Sequence, residues 1–274
     1  MSLTRRPLPP PDIGRVLFPA SYDYPHFLDA AQAPFEVSAG AFSRANAWWA
    51  AEAALLTYWD NAAVKNTIES VSGKKDTATN FSVKNVEGYI ASFDAFSIVA
   101  FRGTEATSIA DVLTDVKIAK DDWDYGGEVH KGFLEAFRNA WRVVPSEIPR
   151  DRPVWFTGHS LGGAIATLAA DAFVKGERST QYGGVYTFGS PLVGDRAFVD
   201  GFNARHAGES FRVVNDRDGV PHVPPRLAGY RHVDEEHFVG VSVPDAPPVL
   251  EALIDHTPSR YSILCWNAMV DETG

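Results

Sequence analysis

The sequence predicts an α/β chain with a mostly parallel central sheet flanked by helices on both faces. Three observations predict it. Apolar β-type runs alternate with helical runs along much of the chain, the pattern of a parallel sheet covered on both sides. The run Val154–Thr157 breaks into Gly-His-Ser-Leu-Gly-Gly and then into AIATLAADAFV, so that strand, sharp turn and helix follow within one stretch. The segment Ser43–Trp59 is apolar nearly all round, with Trp48, Trp49, Leu55, Leu56 and Trp59, which marks a helix buried against other structure.

Taken in order, Leu8–Asp12 is Pro-rich and reads as an extended lead-in. Strands are expected at Val86–Ser92, Phe96–Phe101, Val154–Thr157, Gly184–Phe188 and Phe211–Val214. Helices are expected at Ser43–Trp59, His130–Val144, Gly163–Lys175 and Arg196–Arg205. No internal repeat or low-complexity linker divides these elements, so residues 1–274 are expected to form a single domain. A chain of this length buries about 70–75% of its unfolded surface and needs no covalent staples. Its one cysteine, Cys265, allows no internal disulfide, and the apolar run YSILCW around it favours packing over reactivity.

The formal net charge is −10 and there is no basic block, which argues against nucleic acid and against tight docking on anionic lipid. Neutral or zwitterionic substrates fit this charge better. The first residues, MSLTRRPLPPPDIG, lack an apolar stretch of signal-peptide length. The most apolar helical segment, Ala47–Leu56, contains Glu52 and is too short to span a bilayer. The chain is therefore expected to be soluble with no transmembrane segment, either cytoplasmic or secreted with a signal removed.

G-x-S-x-G has a mechanical meaning: a strand turns so sharply into a helix that the serine is left on an exposed, strained apex. Gly158 and Gly162 lack the Cβ atoms that would clash there, and the helix start presents backbone N–H groups beside Ser160. A serine hydroxyl needs a general base, and the base needs an orienting carboxylate. For such an elbow the chain order is serine, acid, histidine. The acid candidates are then Asp195, Asp216 and Asp218, and the base candidates are His222, His232, His237 and His256. Asp216 and Asp218 both follow the strand FRVV in NDRDGVPHVPP, and order and chemistry do not choose between them.

GHSLGG, the upstream IVAFRGT and VHKGF, and the downstream YTFGSPLVGD and DRDGVPHVPP together resemble the class 3 lipases, the fungal-type lipase group. The motifs stand in the family's order over about residues 96–261; the first ninety residues match in character only. The resemblance implies an α/β-hydrolase fold. It implies Asp218, before x-V-P-x-x-P-P, as the catalytic acid, and His256 in DHTPSRY as the base of Ser160. Asp216 is then a loop residue, and His26, His206, His222 and His237 are packing or surface residues. His159 is expected to point away from the hydroxyl and pack below it, and His130 in VHKGF to be a structural hydrogen-bonding residue near the site. The HVDEEH segment clusters histidines and carboxylates but lacks the H-E-x-x-H spacing, so no metal and no cofactor are expected.

An oxyanion hole follows from the same pattern. One donor is the backbone N–H of Leu161, the residue after the nucleophile; the resemblance maps the second onto Thr104. Beyond it, SIADVLTDVK places Ile109, Val112, Leu113 and Val116 on one helical stripe, expected as a short lid at about 105–117. An ordinary buried helix would show the same stripe. The family often carries tryptophan where Val112 stands, and many secreted fungal members carry disulfides that this chain cannot form.

The resemblance thus implies a carboxylic-ester hydrolase of lipase type acting through an acyl-enzyme. Its substrate would be a small-molecule or lipid ester such as a triacylglycerol, met in transient contact with a lipid interface. Within the same chemistry stand a short-chain or feruloyl-type esterase and a phospholipase. A catalytically silent lipid-binding module is the alternative of another class.

Overall fold

The computed structural model describes residues 3–12, 14–15, 18–103, 118–176, 181–240 and 248–273. Thr104, and Ile109, Val112, Leu113 and Val116 of the expected lid, lie outside them. In chain order, helices α1 (Arg44–Leu56) and α2 (Asn61–Ser72) precede strands β1 (Ala78–Val83), β2 (Val86–Ser92) and β3 (Ser97–Phe101). A short ribbon follows, β4 (Lys120–Asp122) and β5 (Glu128–His130), then helices α3 (Lys131–Ala140) and α4 (Val144–Glu147). The chain continues through β6 (Val154–His159), α5 (Leu161–Lys175), β7 (Tyr182–Phe188), α6 (Arg196–Arg205), β8 (Ser210–Val214) and β9 (Glu236–Phe238). It closes with α7 (Pro248–Asp255) and α8 (Pro258–Thr273).

The main sheet runs β1-β2-β3-β6-β7-β8-β9. β1, β2 and β3 pair antiparallel, and every step from β3 to β9 is parallel. All residues of β3, β6 and β8 are buried, as a parallel sheet covered on both faces requires. The two-residue period of a strand then sorts its side chains to opposite faces. Ile98, Ala100, Trp155, Tyr186 and Val213 pack with α1 and α8 on one face. Val99, Phe101, Phe156 and Val185 pack with α3 and α5 on the other. This is the expected mostly parallel, doubly covered sheet. Cys265 sits in the first of these cores, where burial pushes its thiol pKa up and leaves it unreactive.

The expected all-round apolar helix is α1, buried at every position from Asn46 to Leu56. Its one charged core residue, Glu52, is fully buried. The carboxylate accepts from Tyr24 Oη at 2.7 Å, Phe27 N at 2.9 Å, Trp48 Nε1 at 3.2 Å and Ser262 Oγ of α8. Burial opposes its charge, but these donors and the neighbouring His26 prevail and hold its pKa below the ordinary value. Trp48 meets Trp266 edge-on at 4.8 Å, so α1 and α8 share one wall of the core.

Helix starts differ from the sequence reading by a cap. Ser43 and His130, expected inside helices, are instead N-caps: the Ser43 hydroxyl accepts from Asn46 N, and His130 Nδ1 accepts from Gly132 N and Phe133 N. α5 begins at Leu161, two residues before the expected Gly163, because the turn passes directly from Ser160 into helix. No described helix is long and apolar enough to cross a membrane.

Candidate active site

β6 lies at the middle of the sheet, and its carboxyl end delivers Ser160. Ser160 has φ +58° and ψ −130°, a conformation that costs a non-glycine residue about 1–3 kcal/mol. Packing holds it there. A Cβ at Gly158 would run into the backbone of Gly162, and one at Gly162 into the carbonyl of Phe101. The Ser160 N–H donates to the Phe188 carbonyl of β7 at 2.9 Å. Leu161 follows as the first residue of α5, so its N–H has no acceptor one turn back in the helix. The helix start is therefore open to a negative charge forming beside the serine.

The candidate acid and the candidate base meet. His256, in the short connection between α7 and α8, donates from Nδ1 to Asp218 Oδ1 at 2.9 Å and Oδ2 at 2.8 Å. Both side chains are fully buried. A carboxylate only accepts, so the proton is on Nδ1 and the lone pair is on Nε2. Nε2 is buried and makes no hydrogen bond among the described residues, to Ser160 or to any other group. Such bonds are often long until substrate closes the site. His256 is nevertheless tied to the elbow, because His159 Nε2 donates to the His256 carbonyl at 2.8 Å with ring centroids 4.4 Å apart.

Asp218 lies beyond the end of β8 and is held from several sides. Val220 N donates to Oδ1 at 2.9 Å and Tyr261 Oη to Oδ2 at 2.5 Å. Tyr261 Oη also accepts from Asn215 N at 3.1 Å, Asn215 Nδ2 donates to the Asp255 carbonyl at 2.8 Å, and Arg217 pairs with Glu251 at 2.6 Å. The loop after β8 is thus laced to α7 and α8. Burial and the Asp218 charge push the Tyr261 pKa well up, which keeps its hydroxyl a donor. Asp255, beside His256, has its pKa raised by burial to about 6, opposed by Arg260 at 3.3 Å.

The structure separates Asp218 from Asp216, a choice that sequence order left open: Asp218 is buried against His256, whereas Asp216 is half-buried in the loop. Asp195 is the N-cap of α6, accepting from Phe198 N. His222 is exposed. His232 Nε2 donates to the Pro221 carbonyl at 2.5 Å, and His237 stacks on Phe42 with centroids 3.8 Å apart. The histidines of HVDEEH are engaged with other partners, and no cluster suited to a metal occurs among the described residues. His130 serves as the N-cap of α3 and packs on Phe133.

Three residues of the site were not read from the sequence. Tyr261, five residues after His256, stands at the end of DHTPSRY with no role assigned to it there. Tyr58 donates to His159 Nδ1 at 2.9 Å from just beyond α1, with no motif to mark it. Gly189, at φ +56°, lies against the pair: a Cβ there would stand 2.6 Å from Asp218 Oδ2 and 2.9 Å from His256 Nδ1. The FGSP turn after β7 was its visible signal.

The comparisons agree with this geometry. Residues 98–228 match the family model described as lipase (class 3). A lipase from Rhizomucor miehei is 30% identical over 63% of this chain and 50% of its own length. The secreted mono- and diacylglycerol lipase 1 of Fusarium solani is 32% identical over 56% of this chain and 47% of its own. The chain spans about half the length of these curated relatives. The crystal structure of a lipase from Rhizopus microsporus var. chinensis superposes with a TM-score of 0.59 at 28% identity, over 73% of this chain and 76% of that one. The fold is that of the α/β-hydrolases.

Proposed function

Because residues 98–228 match the class 3 lipase family model and the chain is similar to curated lipases, we propose that it is a class 3 lipase-type serine carboxylic-ester hydrolase, with Ser160 as nucleophile. His256 Nε2 takes the Ser160 proton as Oγ attacks the acyl carbonyl. Asp218 stabilises the imidazolium that forms. The oxyanion is received by the N–H of Leu161 and by Thr104, each donor being worth about 3–4 kcal/mol in such sites. Collapse of the tetrahedral intermediate breaks the ester C–O bond, and the alcohol leaves with the proton from His256. Water then gives a proton to His256 and attacks the acyl-enzyme, releasing the carboxylic acid and restoring Ser160.

The observation that carries the reading is the buried Asp218–His256 pair beside a positive-φ serine at a helix start. The preferred substrates are neutral acylglycerols. Two things support this: the net charge of −10 disfavours anionic substrates, and the Fusarium solani relative is named a mono- and diacylglycerol lipase. The stripe of Ile109, Val112, Leu113 and Val116 belongs to the same reading, as a lid that meets a lipid interface. The test is Ser160→Ala, assayed on p-nitrophenyl butyrate and on dispersed triacylglycerol. Activity should vanish on both with folding intact, and a fluorophosphonate should label wild type alone. Full activity in the variant would sink the proposal. In wild type, a rate that rises when substrate passes its solubility limit supports a lipase over a soluble-ester esterase.

A further inference from the structure

We infer that Tyr58 and His159 form a positioning pair that fixes where His256 stands relative to Ser160 and to the oxyanion loop; the inference rests on the hydrolase reading above. His159 is 1% exposed and immediately precedes the nucleophile, yet both of its ring nitrogens are engaged away from it. Nε2 lies 2.8 Å from the main-chain oxygen of His256, which can only accept. The proton of the neutral ring is therefore on Nε2, and Nδ1 is left to accept from the Tyr58 hydroxyl at 2.9 Å. Burial and the neighbouring His256 keep His159 well below the ordinary imidazole pKa, so the ring stays neutral and this polarity is maintained.

The pair links three segments that are remote in sequence. His159 is the last residue of β6 and part of the elbow. Its Nε2–H grips the backbone of the base, which no strand of the sheet carries. Tyr58 closes the third side: Gly103, just before Thr104, leaves no room for a Cβ because it packs against the Tyr58 hydroxyl, the His159 carbonyl and Ser160 Cβ. A single chain, hydroxyl to imidazole to carbonyl, thus spans from the entry of the oxyanion loop to the base. The Asp218–His256 bonds orient the ring of the base, while the His159 bond sets the position of its backbone relative to the serine.

The experiment compares His159→Met, His159→Gln and Tyr58→Phe with wild type. Methionine fills the space without donating; the glutamine amide can place a donor near the imidazole Nε2 position. His159→Met should lower kcat by about 10²-fold, the scale of a roughly 1 Å misplacement, with little change in KM. His159→Gln should recover most of that loss. The downfield Nδ1 proton of His256, observed by NMR, should shift or broaden in His159→Met and less so in Tyr58→Phe. Unchanged kcat and an unchanged Nδ1 signal in His159→Met would overturn the inference. So would a loss that glutamine restores no better than methionine, since packing alone would then account for it. If His159→Met does not fold, Tyr58→Phe and His159→Gln decide by the same two readouts. Were the wild type to hydrolyse no ester and escape fluorophosphonate, the hydrolase reading would fall, and the Nδ1 signal would still decide the positioning.

Discussion

Replacing Tyr261 by phenylalanine removes one oxygen from the core and disturbs two bonds at once. That hydroxyl donates to Asp218 Oδ2 at 2.5 Å and accepts from Asn215 N at 3.1 Å, while the ring that remains still fills its place beside Phe188. A hydrogen bond to a charged group is worth about 1.5–3 kcal/mol, and a buried N–H left unpaired costs about 1–3 kcal/mol. The two effects share one atom and overlap, which makes the net loss of stability about 3 kcal/mol. For a chain of this size, that lowers Tm by about 5 °C. Catalysis suffers less, because Asp218 keeps its bonds to His256 and Val220 N. If about half of the lost bond is felt in the transition state, kcat falls about tenfold, far short of the ~10⁴-fold expected when the acid itself is neutralised. Calorimetric melting and initial rates on p-nitrophenyl butyrate measure both quantities. A Tm within about 1 °C of wild type, together with unchanged kcat, would refute the view that Tyr261 braces the acid.

Three further outcomes are expected. Gly189→Ala drives a methyl group into the Asp218–His256 pair, so kcat should fall by about 10²-fold or more with KM nearly constant; near-normal kcat would contradict the contact. Asp171 is fully buried and held by Arg205 at 2.7 and 2.8 Å, Trp123 Nε1 at 2.7 Å and His206 Nε2 at 3.2 Å, so Asp171→Ala strands a guanidinium and should cost about 3–5 kcal/mol in urea unfolding while activity per folded molecule is retained. For His232, burial lowers the imidazole pKa from 6.5 to about 3, so between these values the unfolded chain binds the proton and the folded chain does not. Stability is therefore flat above pH 6.5 and declines as pH falls toward 3, by about 1–2 kcal/mol at pH 5 after allowance for solvent screening. His232→Gln should remove that share of the difference between pH 8 and pH 5, and an unchanged difference would exclude His232 as its source.

Much of this architecture was legible because its signals are local. The five expected strands are the strands that the sheet buries or half-covers with apolar side chains, and their ends moved by no more than two residues. The elbow was legible because Gly158, Ser160 and Gly162 must stand at fixed spacing for the turn to close. What escaped lacks such a signature. β1 lies at an edge with Phe81 its one buried residue, the others half-buried or exposed, and β4, β5 and β9 are three residues long and owe their form to the partner strand. α2 has only Val64 and Ile68 as buried apolar positions, although Asp60 caps its start and Gly73 ends it in the left-handed region, a pair of signs that could have marked it. At the site, chain order restricted the acid to a few aspartates, and burial separated Asp218 from Asp216. The bonds from Tyr58 and Tyr261 join residues 101 and 43 positions apart, and no spacing rule reaches that far.

Glu52 has a consequence for how activity would fail on heating. It bolts α1 to Ser262 of α8, and α8 begins just after His256, whereas Ser160 and Asp218 follow strands of the sheet. Loosening of that helix pair would withdraw the base while the sheet remained intact, a partial opening with a lower free-energy cost than global unfolding. Thermal inactivation would then precede loss of the sheet's circular-dichroism signal and reverse on cooling, so that the α1–α8 seam, more than the sheet, sets the working temperature limit.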